Sequence, residues 1–129
     1  MNLLFSDTFV ENLKKFSSIK AAVKNKVDMI AENPISLGEP LKGNLRGFYS
    51  YPVRKNFIII YLYCDICRKK GDDKIVVCSD CNMSSDDTIK FVILGPHNDS
   101  YEIKINKRLA KLGGTEKELK IIPRRRLPG

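Results

Sequence analysis

The stretch NFIIIYLY, residues 56–63, decides the fold. It is a nearly continuous apolar run, rich in β-branched isoleucine and short for a helix. Such a run suits a central strand covered on both faces better than one with a wet face. A second run of the same kind, IKFVILG, follows at residues 89–95. Between them lies a polar, cysteine-bearing excursion. Without that excursion the two runs are adjacent strands, and FYSYPVR, residues 48–54, reads as a third strand before them.

Upstream the period changes from that of strands to that of helices. After a short strand in NLLFS, residues 2–6, comes SDTFVENLKKF, residues 6–16, with apolar Phe9, Val10, Leu13 and Phe16 at helical spacing. Thr8 and Glu11 form a capping-box pattern at its start. A second helix is expected in residues 18–34, with the stripe Ile19, Val23, Val27 and Ile30 and a stop at Asn33–Pro34. Its opposite face carries Lys20, Lys24 and Lys26 and reads as solvated. Residues 35–47, ISLGEPLKGNLRG, form a Gly/Pro-punctuated loop. Residues 101–114 begin extended and end as a short helix closed by Gly113. The expected fold is α+β: two N-terminal helices packed on a small, mostly antiparallel sheet. Residues 1–114 form one domain containing the 64–88 insert, and residues 115–129, with their RRR triplet, form a basic tail.

The chain has 129 residues and a formal charge of +8, with a pI of about 9.4. That charge favours an anionic partner: nucleic acid, an acidic protein or an anionic membrane surface. No apolar run approaches the roughly 20 residues of a membrane span, and no secretory leader opens the chain, so the expected location is cytoplasmic.

The insert holds CDIC at residues 64–67 and CSDC at 78–81, with ten residues between the pairs. Two C-x2-C knuckles at this separation point to tetrahedral zinc, with Cys64, Cys67, Cys78 and Cys81 as ligands. Two disulfides are the rival in an oxidising compartment, and an iron centre is another. Four thiolates leave no open position, so one zinc per chain would be structural, stapling a hairpin too polar to build its own core. Arg68, Lys69 and Lys70 offer the insert a nucleic-acid contact, diluted by Asp72, Asp73, Asp86 and Asp87.

His97, the only histidine, follows the second apolar run directly, in GPHNDSY at residues 95–101. A lone loop histidine is ordinarily a surface residue. Here Tyr49, Tyr51 and Arg54 lie on the preceding strand, and Lys42 and Arg46 in the loop before it. If they share a face with His97, the set meets the needs of metal-free RNA cleavage. A base takes the 2′-hydroxyl proton, an acid protonates the departing 5′-oxygen, and cations hold the phosphate charge. Histidine titrates near neutrality, arginine forks onto phosphate, and tyrosine stacks on unpaired bases. Read from residues alone, the chain is a basic α+β domain with a zinc staple, and RNA is one candidate partner.

Four pieces in order resemble the RelE/ParE toxin superfamily, in its RelE-like branch: the paired helices ending IAENP, the linker PLKGNLRGFYSYPVR, the strand FIIIYLY and the closing GPHNDSY. The resemblance spans residues 1 to about 112 apart from the insert. It implies two helices on a curved antiparallel sheet of about four strands. It also implies an mRNA interferase of the kind that cuts messages, often in the ribosomal A site, with no catalytic metal, and that is paired with an antitoxin protein. By the same resemblance Arg54 would hold phosphate, His97 would transfer a proton, and Tyr101 would act on the 2′-hydroxyl or stack on a base. Lys42 and Arg46 would orient RNA. Ile58 stands where relatives often carry an arginine, with Lys55 as a replacement cation, and Pro52 where another basic residue is common. A ParE-like gyrase inhibitor and a non-catalytic zinc-ribbon nucleic-acid-binding protein are the alternatives.

Overall fold

In a computed structural model of the chain, residues 2–41, 46–54, 57–72, 84–96 and 121–123 are described. The order of elements is β1 (Asn2–Ser6), α1 (Asp7–Lys15), a 3-10 turn at Ser17–Ile19, α2 (Lys20–Glu32), β2 (Glu39–Pro40), β3 (Tyr49–Arg54), β4 (Phe57–Tyr63), α3 (Cys64–Lys69), β5 (Thr88–Pro96) and β6 (Ile121–Pro123). The strands form one sheet in the order β2-β3-β4-β5-β1-β6. Every neighbouring pair is antiparallel except β1 and β5, which run parallel. The sheet is thus mostly antiparallel as expected, but mixed and wider than four strands. Ile121–Pro123, in the stretch expected as a tail, adds an edge strand beside β1.

The two apolar runs become neighbours. Phe57 pairs with Pro96 and Tyr63 with Ile89, so the chain leaves the sheet at residue 63 and returns at Thr88. Both faces are buried, as their composition requires. On the helix side lie Ile59, Tyr61, Ile89, Phe91 and Leu94, packed with Phe9, Leu13, Val23, Val27 and Ile30 of the helices. On the face turned away lie Ile58, Ile60, Leu62, Val92 and Ile93, packed with Phe48, Cys64 and Cys67.

An aromatic row crosses four strands on the helix side. Tyr49 pairs with Tyr61, Tyr61 with Phe91, and Phe91 with Phe5. The successive ring centroids are 5.6, 6.1 and 5.0 Å apart, and Phe9 of α1 tilts onto the last pair. Offset contacts of this kind each add about 0.5–1.5 kcal/mol beyond area burial. The row fixes the register that positions the ends of the strands.

Helix α1 is capped by Ser6, whose hydroxyl accepts from the Phe9 N–H at 3.0 Å, so the cap lies two residues before the expected Thr8. Ser6 also donates to the Val92 carbonyl at 2.6 Å, and Asn12 Oδ1 accepts from the Leu94 N–H at 3.2 Å. These bonds have a common cause. Strand β1 stops pairing with β5 at Phe91, leaving the next groups of β5 without a ladder partner. The N-cap Ser6 and Asn12 of α1 satisfy them instead.

Candidate nucleic-acid interface

One cross-strand row links Arg54 to the strand end from which the closing motif continues. Arg54 pairs with Phe57 across β3 and β4, and Phe57 pairs with Pro96 across β4 and β5. Adjacent strands lie about 4.8 Å apart, so Arg54 and Pro96 are separated by about 10 Å across the sheet. His97, next in sequence, lies outside the described residues, as do Tyr101, Lys42, Lys55, Cys78 and Cys81. Arg54 is exposed, and no described residue forms an ion pair with it.

Alternation does not place the strand β3 residues on one face. Tyr49, Tyr51 and Val53 pack on the helix-side core, whereas Ser50 and Pro52 pair with Ile60 and Ile58 on the other face. The register then shifts between Pro52 and Arg54, which brings Arg54 opposite Phe57. Phe57 itself packs on the helix side, edge-on to Phe16 at 5.1 Å. A bulge of this kind re-aims a strand-end side chain. Arg54 therefore shares a row with Phe57 and not with Ile58.

Tyr49 and Tyr51, nominated for base stacking, are occupied otherwise. Tyr49 is buried and stacked on Tyr61, with the Lys70 ammonium 6.0 Å from its ring. Tyr51 is half-buried beneath Lys26 of α2, at 5.8 Å. Lys26 is thus packed along an aromatic ring as well as solvated. Ile58 is buried in the second core and supplies no cation.

Arg46 reaches into the insert. Its Nε donates to Oδ1 of Asp72 at 2.9 Å; the arginine side chain is 59% exposed and the aspartate 5%. Elsewhere the insert is laced to itself. Arg68 donates to Asp86 Oδ1 at 2.6 Å and to the Ser84 carbonyl at 2.7 Å, joining the segment that leaves the sheet to the one that returns. Lys69 pairs with Asp65 one helical turn away. Two of the cations offered to nucleic acid are therefore engaged within the insert.

Cys64 and Cys67 sit three residues apart on one turn of α3, and both are buried. Two thiols on one turn fit half of a tetrahedral thiolate set. Where a hairpin was expected, the insert opens with this helix. Among the described residues no group of three or more metal-ligating side chains gathers.

Three features escaped the sequence reading. Lys90 is fully buried on β5, and its only signal was one charge inside an apolar run. Asp72 is buried although it is one of several acids in a polar stretch. Tyr61 donates its hydroxyl proton to the Pro34 carbonyl at 2.8 Å, and its pKa is pushed well above the ordinary tyrosine value. Burial is the main cause and Tyr49 adds to it; the Gly38 N–H acts the other way. Burial also raises Tyr63, helped by Asp65 and Asp87.

No family model matches the sequence, and no curated protein sequence does. Solved structures do. The chain is similar to a YoeB/ParE toxin from Agrobacterium tumefaciens, with 15% identity over 76% of this chain and 100% of that one, at a TM-score of 0.52. It is also similar to a chain of the YoeB-YefM complex from Staphylococcus aureus and to the YoeB dimer of that organism. For each, identity is 21%, coverage is 76% and 98%, and the TM-score is 0.51. The chain thus has the RelE/ParE-like toxin fold. The toxins are matched along nearly their whole length, while about a quarter of this chain has no counterpart in them.

Proposed function

We propose that this chain is the toxin of a type II toxin–antitoxin pair and that it cleaves RNA as a metal-independent endoribonuclease. The observation that carries the reading is the row Arg54–Phe57–Pro96, because the closing motif with His97 begins where that row ends. The charge of +8 supports a polyanionic substrate. In the reaction, the 2′-hydroxyl loses its proton and attacks the adjacent phosphorus; the bond to the 5′-oxygen breaks, and that oxygen is protonated. His97 serves one of the two proton transfers, Tyr101 engages the 2′-hydroxyl or stacks on a base, and Arg54 holds the phosphate charge. Lys42 and Lys55 would supply further cations for RNA. The natural substrate is mRNA.

The partner is an antitoxin protein. One of the structures with this fold is a complex of YoeB with YefM, which supports such a pairing here. A single structural zinc on Cys64, Cys67, Cys78 and Cys81 completes the proposal; it would hold the insert and take no part in cleavage. No helix among the described residues is long and apolar enough to cross a membrane.

Expression of the wild type and of His97→Ala in a bacterial host tests the reading. Growth arrest with message cleavage by the wild type, and its loss in a folded His97→Ala protein, is the expected result. The apolar Ile58, at a position where a cation is common among such nucleases, favours gyrase inhibition as the second reading. Arrest that persists in His97→Ala with accumulating DNA breaks would establish it.

A further inference from the structure

The insert does not hang clear of the domain. Its first turn, α3, ends at Lys69, and the Gly71 N–H bonds back to the Arg68 carbonyl at 3.1 Å. Gly71 then adopts a φ of 74°, the left-handed conformation that ends many helices. That turn carries the chain to Asp72, whose buried carboxylate meets Arg46 of the linker. Lys70, two residues earlier, lies over Tyr49 at the start of β3. Residues from one side of the turn and the other therefore both reach toward the linker–β3 junction. Arg68 ties the root of the insert to Ser84 and Asp86, so Asp72 stands on a braced support.

A guanidinium has five N–H donors in a rigid fork. At Arg46 the bond to Asp72 uses the Nε donor, and the side chain remains mostly exposed. An exposed arginine on a linker ordinarily loses side-chain entropy when it binds a phosphate. An arginine already held at Nε loses less, and among the described residues nothing else bonds its two η nitrogens, which suit two parallel bonds.

We propose that Asp72 of the insert is a positioning residue: it holds Arg46 by Nε and presents the η nitrogens to a phosphate of single-stranded RNA. The inference rests on the nucleic-acid reading above and assigns the insert a part in it. The sign of the effect separates it from ordinary electrostatics. A carboxylate near a bound phosphate repels it, so removal of Asp72 on charge grounds alone tightens RNA binding. Positioning requires the opposite.

The test uses the full chain and a short single-stranded RNA methylated at every 2′-oxygen, which blocks cleavage, titrated at several salt concentrations. Asp72→Ala and Arg46→Ala are each expected to weaken binding about ten- to a hundredfold, the scale of a bond to a charged group. The Asp72→Ala/Arg46→Ala double variant is expected to bind like Arg46→Ala alone, since the aspartate acts only through the arginine. The slope of log affinity against log salt becomes shallower by about 0.7 in each single variant, as for one lost single-strand phosphate contact. Asp72→Asn, which keeps the shape, provides the same measurement should the alanine variant fail to fold, and thermal unfolding monitors both. Binding by a folded Asp72 variant that equals or exceeds the wild type, or fully additive losses in the double variant, overturns the proposal. A wild type that binds the methylated RNA but leaves unmodified RNA uncut sinks the nuclease reading and leaves this one standing. A wild type that cuts RNA while Asp72 variants bind normally sinks this inference alone. No RNA binding by the wild type removes both.

Discussion

Arg54 and Pro96 flank Phe57 in a single cross-strand row, so the arginine that ends β3 and the residue that ends β5 lie at the same end of the sheet. Arg54→Ala tests what the row is for. Because Arg54 is exposed, the substitution should change folding stability by no more than about 0.5 kcal/mol. Loss of a preorganised phosphate donor should slow RNA cleavage by roughly 10²-fold or more. Single-turnover cleavage measured beside thermal unfolding separates the two. Unchanged cleavage by the alanine variant would take Arg54 out of the site.

What the sequence disclosed, it disclosed through period and continuity. The stripe Ile19, Val23, Val27 and Ile30 is buried, and the runs at 57–63 and 89–95 are central strands because nothing else suits uninterrupted apolar residues in this number. Pairings set at long range left weaker traces. Ser6, not Thr8, caps α1, because its hydroxyl also serves a carbonyl 86 residues away, which no local pattern encodes. Ile121–Pro123 is too short to advertise a strand, and its partner is at the far end of the chain. The site was less legible than the fold. Tyr49 and Tyr51 lie in a strand one would place beside RNA, but their common face is the one the helices cover. A bulge after Pro52 changes which residues share a row with Arg54, and single-residue irregularities have no composition of their own.

Gly38 is required by Tyr61. A Cβ at Gly38 would run into the Tyr61 hydroxyl and ring. Gly38→Ala should therefore destabilise the fold by about 1–3 kcal/mol, the usual cost of overpacking. Tyr61→Phe in the same chain should relieve part of it by removing the nearest atom, leaving the ring. Chemical denaturation of the two single variants and the double supplies the coupling. Simple additivity would show that the clash is absorbed elsewhere.

The raised Tyr61 pKa gives stability a defined dependence on pH. The folded state keeps the hydroxyl proton above pH ~10, where an unfolded tyrosine loses it. The contribution is therefore fully present below about pH 10 and declines above it, by about 1.4 kcal/mol per pH unit while only the unfolded chain ionises. Tyr61→Phe lacks this term and also lacks the bond to Pro34, which contributes about 1 kcal/mol. The wild type should exceed the variant by about that amount near neutrality, and the gap should close and then reverse above pH ~11. A gap that stays constant to high pH would mean that Tyr61 ionises in the folded protein as it does in water.

The buried pair Cys64 and Cys67 makes metal removal informative. About one zinc per chain is expected in protein purified without chelator, and its removal should lower the unfolding temperature. Cleavage by protein that remains folded should persist, since a four-thiolate site offers no position to substrate. Elemental analysis, calorimetry and cleavage assays on one preparation check all three. Cleavage that must be restored by added metal would overturn the structural assignment.

Ser6 joins the first turn of α1 to the centre of the sheet through two bonds of one hydroxyl. Removal of an N-cap side chain costs about 0.5–2 kcal/mol, and a buried carbonyl left without its donor costs about 1–3 kcal/mol. Ser6→Ala should accordingly destabilise the protein by about 2–4 kcal/mol in denaturant titration, a large loss for a change of one oxygen atom. Ser6→Gly should recover little, because glycine replaces a cap conformationally but cannot donate to Val92. Hydrogen exchange gives the spatial signature: amides of the first turn of α1 and of β5 beyond Phe91 should lose protection together. Loss confined to the helix would mean that the bond to Val92 adds nothing, and that α1 is held to the sheet by its apolar face and the Asn12–Leu94 bond.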